Sequence, residues 1–395
     1  MTAGFTPLAG IRVVDVTTSY AGPFCTEILG ALGAEVLKIE PPGTGDEART
    51  WGPPFFEGTS TMFLTANANK RSVAVELRRG RDIVARLAEG ADVFIQSLRP
   101  GLAEERGLGA DDLRALNERL VYCSIRGFGR VGPLAGRPGY DPLAQSAAGI
   151  ISVTGEPGRA GVRVGVSLID QSTGIWAALA ILASLTQRQA TGHGETIDLS
   201  LYETAVSLMG YHLAGYLATG AVPGPHGTAF PSLAPYQTFH ASDGELMIAA
   251  GNDRIFASLC EVIGLPGLPA DPRFTTNALR VANREALTPL VADRIATGTR
   301  EHWVELFAAA NVPAAPVQDV AEVAAHPQTA ALGLMDELGG LPIVGLPFSV
   351  AGERAAHRSA APALGSDTEA VLREAGYPDE TIRGWAETGV VQVSP

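Results

Sequence analysis

A repeated alternation of short β-branched runs with stretches of helical periodicity constrains this chain more than any other feature. Residues 11–16 form such a run, a Ser/Gly/Pro loop follows, and Phe24, Ile28 and Leu32 then recur at helical spacing. The next run, residues 35–39, stops at Pro41-Pro42-Gly43, and residues 72–77 lead into a helical segment around Ile83 and Leu87. Residues 93–95 and 120–125 repeat the pattern. Parallel strands cannot be joined by a tight turn, because the chain must return to the same end of the sheet, and a helix is the usual return path. The alternation therefore predicts an α/β fold with a doubly wound, largely parallel sheet covered on both faces.

Later segments change character. Residues 168–185 read as one long helix, residues 196–201 as a strand, and a further helix runs through Tyr216. Near residue 220 the stretch Gly220-Ala-Val-Pro-Gly-Pro-His-Gly227 reads as a linker; a hairpin-like stretch ending at residues 246–250 and several short helices follow, to about Pro316. In the tail, Ser366 and Glu369 stand at capping-box spacing ahead of Val371 and Leu372. A length of 395 residues exceeds what one core usually supports, so two domains or one large elaborated one are expected, and the hairpin-like stretch and short helices after residue 220 read as a second, smaller α+β unit. Apolar residues at 46% against 18% charged exclude a disordered chain.

Charge narrows the partners. A net charge of −13 argues against general attraction to nucleic acid or an anionic membrane, so an anionic ligand needs a local basic island. Between Lys70 and Arg106 eight basic residues face six acidic ones, a local excess of two. Cys25, Cys123 and Cys260 lie far apart with no CxxC pair, against a disulfide framework or a zinc ribbon, and a reducing cytoplasm is the expected setting. Residues 1–10 show no basic n-region or long apolar h-region, so an untargeted, cytoplasmic protein is expected.

Several familiar chemistries lose support. Gly127-Phe-Gly-Arg-Val-Gly132 matches GxGxxG after a strand, but Pro133, Gly136, Pro138 and Gly139 deny the helix a dinucleotide site requires, and a turn-rich loop is the better reading. There is no GxSxG, Walker A or HExxH motif, and the seven histidines are scattered, so no metal is expected. Cys25 shares an apolar helix face with Leu29 and reads as a core thiol. The most informative stretch, Arg163-Val-Gly-Val-Ser-Leu-Ile-Asp170-Gln-Ser-Thr-Gly174-Ile-Trp176, places a carboxylate where an apolar helix begins. Local sequence leaves two readings: an N-terminal acid serving the helix dipole, or a carboxylate kept ionised there as a nucleophile, with small neighbours Gly165 and Gly174 admitting a substrate.

The chain resembles the family III CoA-transferases, the group that contains formyl-CoA and carnitine-type CoA-transferases. The likeness runs over nearly the whole chain: Leu8-Ala-Gly-Ile-Arg-Val-Val-Asp15, Ala21-Gly-Pro23, Gly33-Ala-Glu-Val-Leu-Lys-Ile-Glu-Pro41, Gly45-Asp46 with Arg49, Asn69-Lys-Arg-Ser72, Arg99-Pro-Gly101, Gly127-Phe-Gly129, Gly139-Tyr-Asp141, Val153-Thr-Gly-Glu156, Tyr236 and Gly251-Asn-Asp253. It implies a large Rossmann-like CoA-binding domain from residues 1–216 and 325–395, a small domain from 225–320, linkers at 217–224 and 321–324, and two ring-like subunits interlocked as a homodimer. It also implies that Asp170 attacks an acyl-CoA thioester to give a mixed anhydride and CoA thiolate. The thiolate returns to form aspartyl-CoA, and an incoming carboxylate forms its own anhydride with the enzyme before capturing CoA. An anhydride keeps the acyl-transfer potential that a serine ester would dissipate.

By family position, coenzyme A, a substrate and not a resident cofactor, is expected to meet Tyr20, Ala21, Val75, Arg78, Ser97, Leu98 and Arg99. Arg106 would stand in for a basic position occupied here by Glu105. Tyr140 and the loop residues Gly227, Thr228 and Phe230 are expected near the acyl group. Phe230 stands where relatives often carry a polar side chain, which favours a substrate less polar than oxalate or formate. Two alternatives share the fold: an α-methylacyl-CoA racemase, disfavoured because Tyr140 replaces the usual histidine and titrates too high to abstract a proton near neutrality, and a noncatalytic CoA-binding protein.

Overall fold

The computed structural model describes residues 5–393. Its chain divides into two compact units, residues 1–150, 163–218 and 330–395 in the first and residues 151–162 and 219–329 in the second. The sequence reading put 151–162 in the large domain and ended the small one at 320. Residues 151–162 go with the second unit because the Gly155 carbonyl accepts from the Gly227 amide at 2.8 Å, while the Val162 amide closes back on the Thr154 carbonyl at 2.9 Å.

The first unit is built on a seven-stranded sheet. Its parallel strands are β1 (Arg12–Val16), β2 (Glu35–Glu40), β3 (Lys70–Val75), β4 (Val93–Gln96), β5 (Val121–Arg126) and β6 (Thr196–Ser200). They lie in the order β3-β2-β1-β4-β5-β6, with the short strand Val391–Gln392 antiparallel beside β3. Two successive crossovers run outward from β1 on one side and three steps continue from it on the other, the doubly wound plan expected of the alternation. Val13 and Val14 at the centre of β1 are fully buried, as a central parallel strand covered on both faces requires. The order reverses between β1 and β4, and such a switch opens a crevice at the carboxyl ends of the strands.

Three helices matter for the site, α1 (Ala21–Ala31), α3 (Asp141–Ala147) and α4 (Leu168–Thr191), with α2 (Arg81–Glu89) between the first two in chain order. α1 packs against α4. Gly174 explains how closely: a Cβ there would press on the Ala21 carbonyl and the Cys25 amide, so this glycine admits a neighbouring helix and not a substrate. Gly165 has open space around it and lines no cavity beside Asp170. α4 is long and apolar enough by length and composition to cross a membrane. Its Ile169, Ala177, Ala178 and Ile181 are buried within this unit, while Ile175, Trp176 and Leu179 stand exposed.

The second unit carries a three-stranded antiparallel sheet, Ala314–Pro316 beside Gly244–Ala249 beside Tyr236–Ala241. Phe239, Leu246, Ile248, Phe256, Leu259 and Phe307 fill its core. The capping box expected at Ser366 does not form. The helix there begins at Thr368 with Asp367 in the cap position, and Asp367 Oδ2 accepts instead from the Ser72 amide on β3 at 3.0 Å.

Candidate active site

A cavity of about 500 Å³ lies in the first unit where strand order reverses. Thr18 and Ser19 reach it from the turn after β1, Ala21 and Gly22 from the head of α1, Ser97, Leu98 and Arg99 from the turn after β4, and Arg126 and Gly127 from the end of β5. Asp170 lies on its wall, in the first turn of α4, with Tyr140 just ahead of α3.

The start of α4 is capped from outside itself. Ser167 occupies the cap position without a side-chain bond, and Asp141 Oδ2, from α3, accepts from the amides of Ile169 at 2.7 Å and Asp170 at 3.2 Å. Asp141 is held in turn by Gln145 Nε2 at 2.5 Å, and Gln145 Oε1 accepts from the Val164 amide at 2.8 Å. The helix donors that could steady a carboxylate are thus spent on Asp141. Among the described residues no hydrogen bond or ion pair reaches the Asp170 carboxylate.

Asp170 is therefore not the permanently ionised acid expected of a helix N-terminus. Burial first, and then the charge of Asp141, push its carboxyl up to about 7. Such a group is a stronger nucleophile when ionised than an ordinary aspartate, and can also carry a proton near neutrality.

Around it stand groups the sequence reading did not single out: Glu47, Trp51, Arg126 and Arg137 all line the cavity. Glu47 Oε1 accepts from Ser19 Oγ at 2.9 Å. Its charge, together with some burial and a hydrogen bond to the phenol, raises Tyr140 above the usual tyrosine range. The Trp51 and Tyr140 rings meet edge-on at 6.4 Å. Arg99 is paired with Glu105 at 3.0 Å, whereas Arg137 is exposed and, among the described residues, has no ion pair. The signal for Glu47 and Trp51 was their place just after Gly45-Asp46; nothing local marks Arg137.

Of the residues expected to meet coenzyme A, the structure brings Ala21, Ser97, Leu98 and Arg99 to this cavity, with Tyr140 and Asp170. It does not bring Tyr20, Val75, Arg78 or Arg106. Tyr20 stacks on Phe24 and takes a long hydrogen bond from Gln171 to its hydroxyl. Val75 is 1% exposed and belongs to the apolar core on β3, two strands away from β1. Arg78 lies in the exposed turn after β3, its amide bonded to Glu76, and Arg106 ends the short helix Leu102–Glu105 with its carbonyl accepting from Arg81.

Gly227 and Thr228 line a second cavity, of about 730 Å³, within the second unit, beside Glu156, His226 and Arg284. Gly227 has φ +60, and a Cβ there would meet the Glu156 carboxylate. Phe230 is not among the residues lining it; its ring contacts Tyr236 at 5.5 Å between centroids. Arg284 Nη2 fixes that loop by donating to the carbonyls of Phe230, Pro231 and Leu233 at 2.7, 3.2 and 2.9 Å. Among the described residues no group of three or more His, Cys, Asp or Glu side chains is arranged to hold a metal.

Comparison with known proteins gives a consistent answer. The sequence pattern of CoA-transferase family III matches residues 8–368. The human succinyl-CoA:glutarate CoA-transferase is 37% identical over 393 residues, covering 98% of this chain and 90% of its own. The acetyl-CoA:oxalate CoA-transferase of Acetobacter aceti is 38% identical, covering 94% of this chain and 97% of its own. The crystal structure of a CAIB/BAIF family protein from Brucella suis superposes with a TM-score of 0.86 at 40% identity, over 94% of this chain and 99% of that one.

Proposed function

Because this chain belongs to CoA-transferase family III, we propose that it moves CoA between carboxylic acids with Asp170 as its covalent nucleophile. The observation that carries the assignment is a half-buried carboxylate, without a hydrogen-bond or ion-pair partner among the described residues, on the wall of a cavity at the β1/β4 switch point. In the first step the ionised Asp170 oxygen attacks the thioester carbonyl; the C–S bond breaks, the thiolate takes the electron pair, and an aspartyl mixed anhydride remains. The thiolate then attacks the aspartyl carbonyl, releasing the first acid as its carboxylate and leaving aspartyl-CoA. The acceptor carboxylate displaces the thiolate to form a second anhydride, and thiolate attack on the acceptor carbonyl releases the new acyl-CoA and restores Asp170. No net proton is consumed, so the cycle calls for no general base.

Arg99, Arg126 and Arg137 are the cations on the cavity wall suited to the phosphates of CoA, inside a chain of net charge −13. Relatives named for succinyl-CoA and glutarate, and for acetyl-CoA and oxalate, support a short acyl donor and a short carboxylate acceptor. The racemase alternative draws no support from Tyr140, whose phenol is raised further by Glu47 and so is ionised still less near neutral pH. Two interlocked copies of the chain are part of the proposal.

The test is exchange itself. Asp170→Ala should show no CoA transfer between a panel of acyl-CoA donors and carboxylic acids read by mass spectrometry, while hydroxylamine should inactivate the wild-type enzyme only during turnover. Near-normal turnover by Asp170→Ala removes the assignment.

A further inference from the structure

Lys38 and Lys70 are the only lysines in the sequence; the other 27 of its 29 basic side chains are arginines. Both lysine side chains have zero exposure. Lys38 Nζ donates to the Thr17 carbonyl at 3.1 Å and to Asp46 Oδ2 at 2.8 Å. Lys70 Nζ donates to the Pro23 carbonyl at 2.9 Å, to Asn67 Oδ1 at 2.8 Å and to Asp15 Oδ2 at 3.1 Å. The two ammonium groups thus grip the two ends of one segment, residues 17–23, and Thr18, Ser19, Ala21 and Gly22 within it line the cavity that holds Asp170. Asp15 joins the ends from below, accepting from the Thr17 amide at 2.9 Å and from Thr26 Oγ1 at 2.6 Å. Asp46 Oδ1 adds a hold on the Ser19 amide at 3.1 Å, where the backbone is left-handed with φ +70. A compact head with three donors suits these enclosed carbonyls, where a planar guanidinium would need more room.

We propose that Lys38 and Lys70 are positioning residues for acyl-CoA, fixing the segment between their carbonyl contacts in the shape that receives the ligand. The inference rests on the reading of this cavity as the acyl-CoA site. It assigns a purpose to the Lys38 and Lys70 motifs, which the catalytic chemistry leaves unused.

Lys70 also gives the arrangement a pH response. Burial, opposed by Asp15 and helped by repulsion from Lys38, lowers it to about 8, with Glu27 also facing it; Asp46 and Glu40 act on Lys38. Above that pH the ammonium loses its charge and its hold on the Pro23 carbonyl weakens, so affinity for acyl-CoA should fall as pH rises through 8.

Two measurements decide the matter. Lys70→Met should raise KM for acyl-CoA about tenfold or more with kcat within about threefold, the signature of lost ground-state binding, and should lack the alkaline rise in KM of the wild type. Because a buried variant can fail to fold, the wild-type chain labelled with 13C at lysine Cε provides the second test: two lysine side-chain signals, one titrating near pH 8, whose midpoint should rise when CoA saturates the protein. Unmoved lysine midpoints with CoA bound, or a folded Lys70→Met with wild-type KM at all pH values, overturn the inference alone. Failure of the wild-type chain to bind CoA in a calorimeter overturns the functional reading and this inference with it.

Discussion

Asp170 owes its character to what its neighbour takes away. Asp141 collects the amides of Ile169 and Asp170, so the first turn of α4 offers the Asp170 carboxylate nothing, and burial does the rest. The activity that depends on ionised Asp170 should therefore have an acid limb near pH 7, not near the ordinary aspartate value of 3.8. Asp141→Asn keeps an oxygen for the amides but removes the charge, so kcat/KM measured against pH should show the limb moved downward. The same carboxylate burdens the fold. Its folded value is raised, so ionisation is disfavoured in the native state, and Asp170→Asn should stabilise the protein by an amount that grows between about pH 4 and 7 and is level above, as read by thermal melts across pH. The place of Asp170 at the head of an apolar helix was legible, but local sequence left it open between a cap and a nucleophile, and only the family resemblance pointed to the second. Glu47, Arg137 and the capping role of Asp141 were not legible, because their meaning comes from segments folded against them.

At the scale of elements, a buried histidine ties distant parts of the first unit together. His357 bonds to Glu27 of α1 through Nε2 and to Asp336 through Nδ1, the latter at 2.9 Å, and its side chain is 1% exposed. Burial opposes its charge, but the two carboxylates outweigh burial and raise it above 6.5. A raised histidine stabilises fully below its unfolded value and loses that contribution as pH rises through its folded one. The melting temperature should accordingly decline above pH 6.5, and His357→Gln should flatten that decline while lowering stability by about 3–5 kcal/mol at pH 6. The strands show where sequence reasoning succeeds and where it stops. β1, β2, β4 and β5 follow from β-branched runs, and the GxGxxG stretch after β5 is a loop up to α3, as its prolines require. Val75 and Arg78 lie off the cavity for a different reason: which strand ends adjoin β1 is set by strand order, and β3 lies beyond β2, while Arg106 stands past the turn after β4 at the end of the helix Leu102–Glu105.

For the whole molecule, the proposed interlocked dimer makes sense of apolar surface that a single chain leaves open. Ile175, Trp176 and Leu179 on α4 are each at least half exposed, and Tyr211 and Leu217 on the later helix Gly210–Thr219 are more so. Sedimentation equilibrium should give twice the chain mass, and Trp176→Glu should shift the protein toward monomer; a wild-type monomer at micromolar concentration would refute the dimer. The discontinuous first unit was expected from family resemblance, whereas the detour of residues 151–162 into the second unit was not, since it depends on a contact with Gly227 far along the chain. What the sequence by itself determined is the doubly wound sheet and the aspartate heading α4, because the periodicity that selects strand or helix lies within a few neighbouring residues. Only the tertiary structure decided the surroundings of that aspartate and the contacts of the two lysines. Desolvation and Coulomb forces act through space, and the groups that exert them, Asp141 on Asp170 and the carbonyls of Thr17 and Pro23 on Lys38 and Lys70, come from remote stretches of chain.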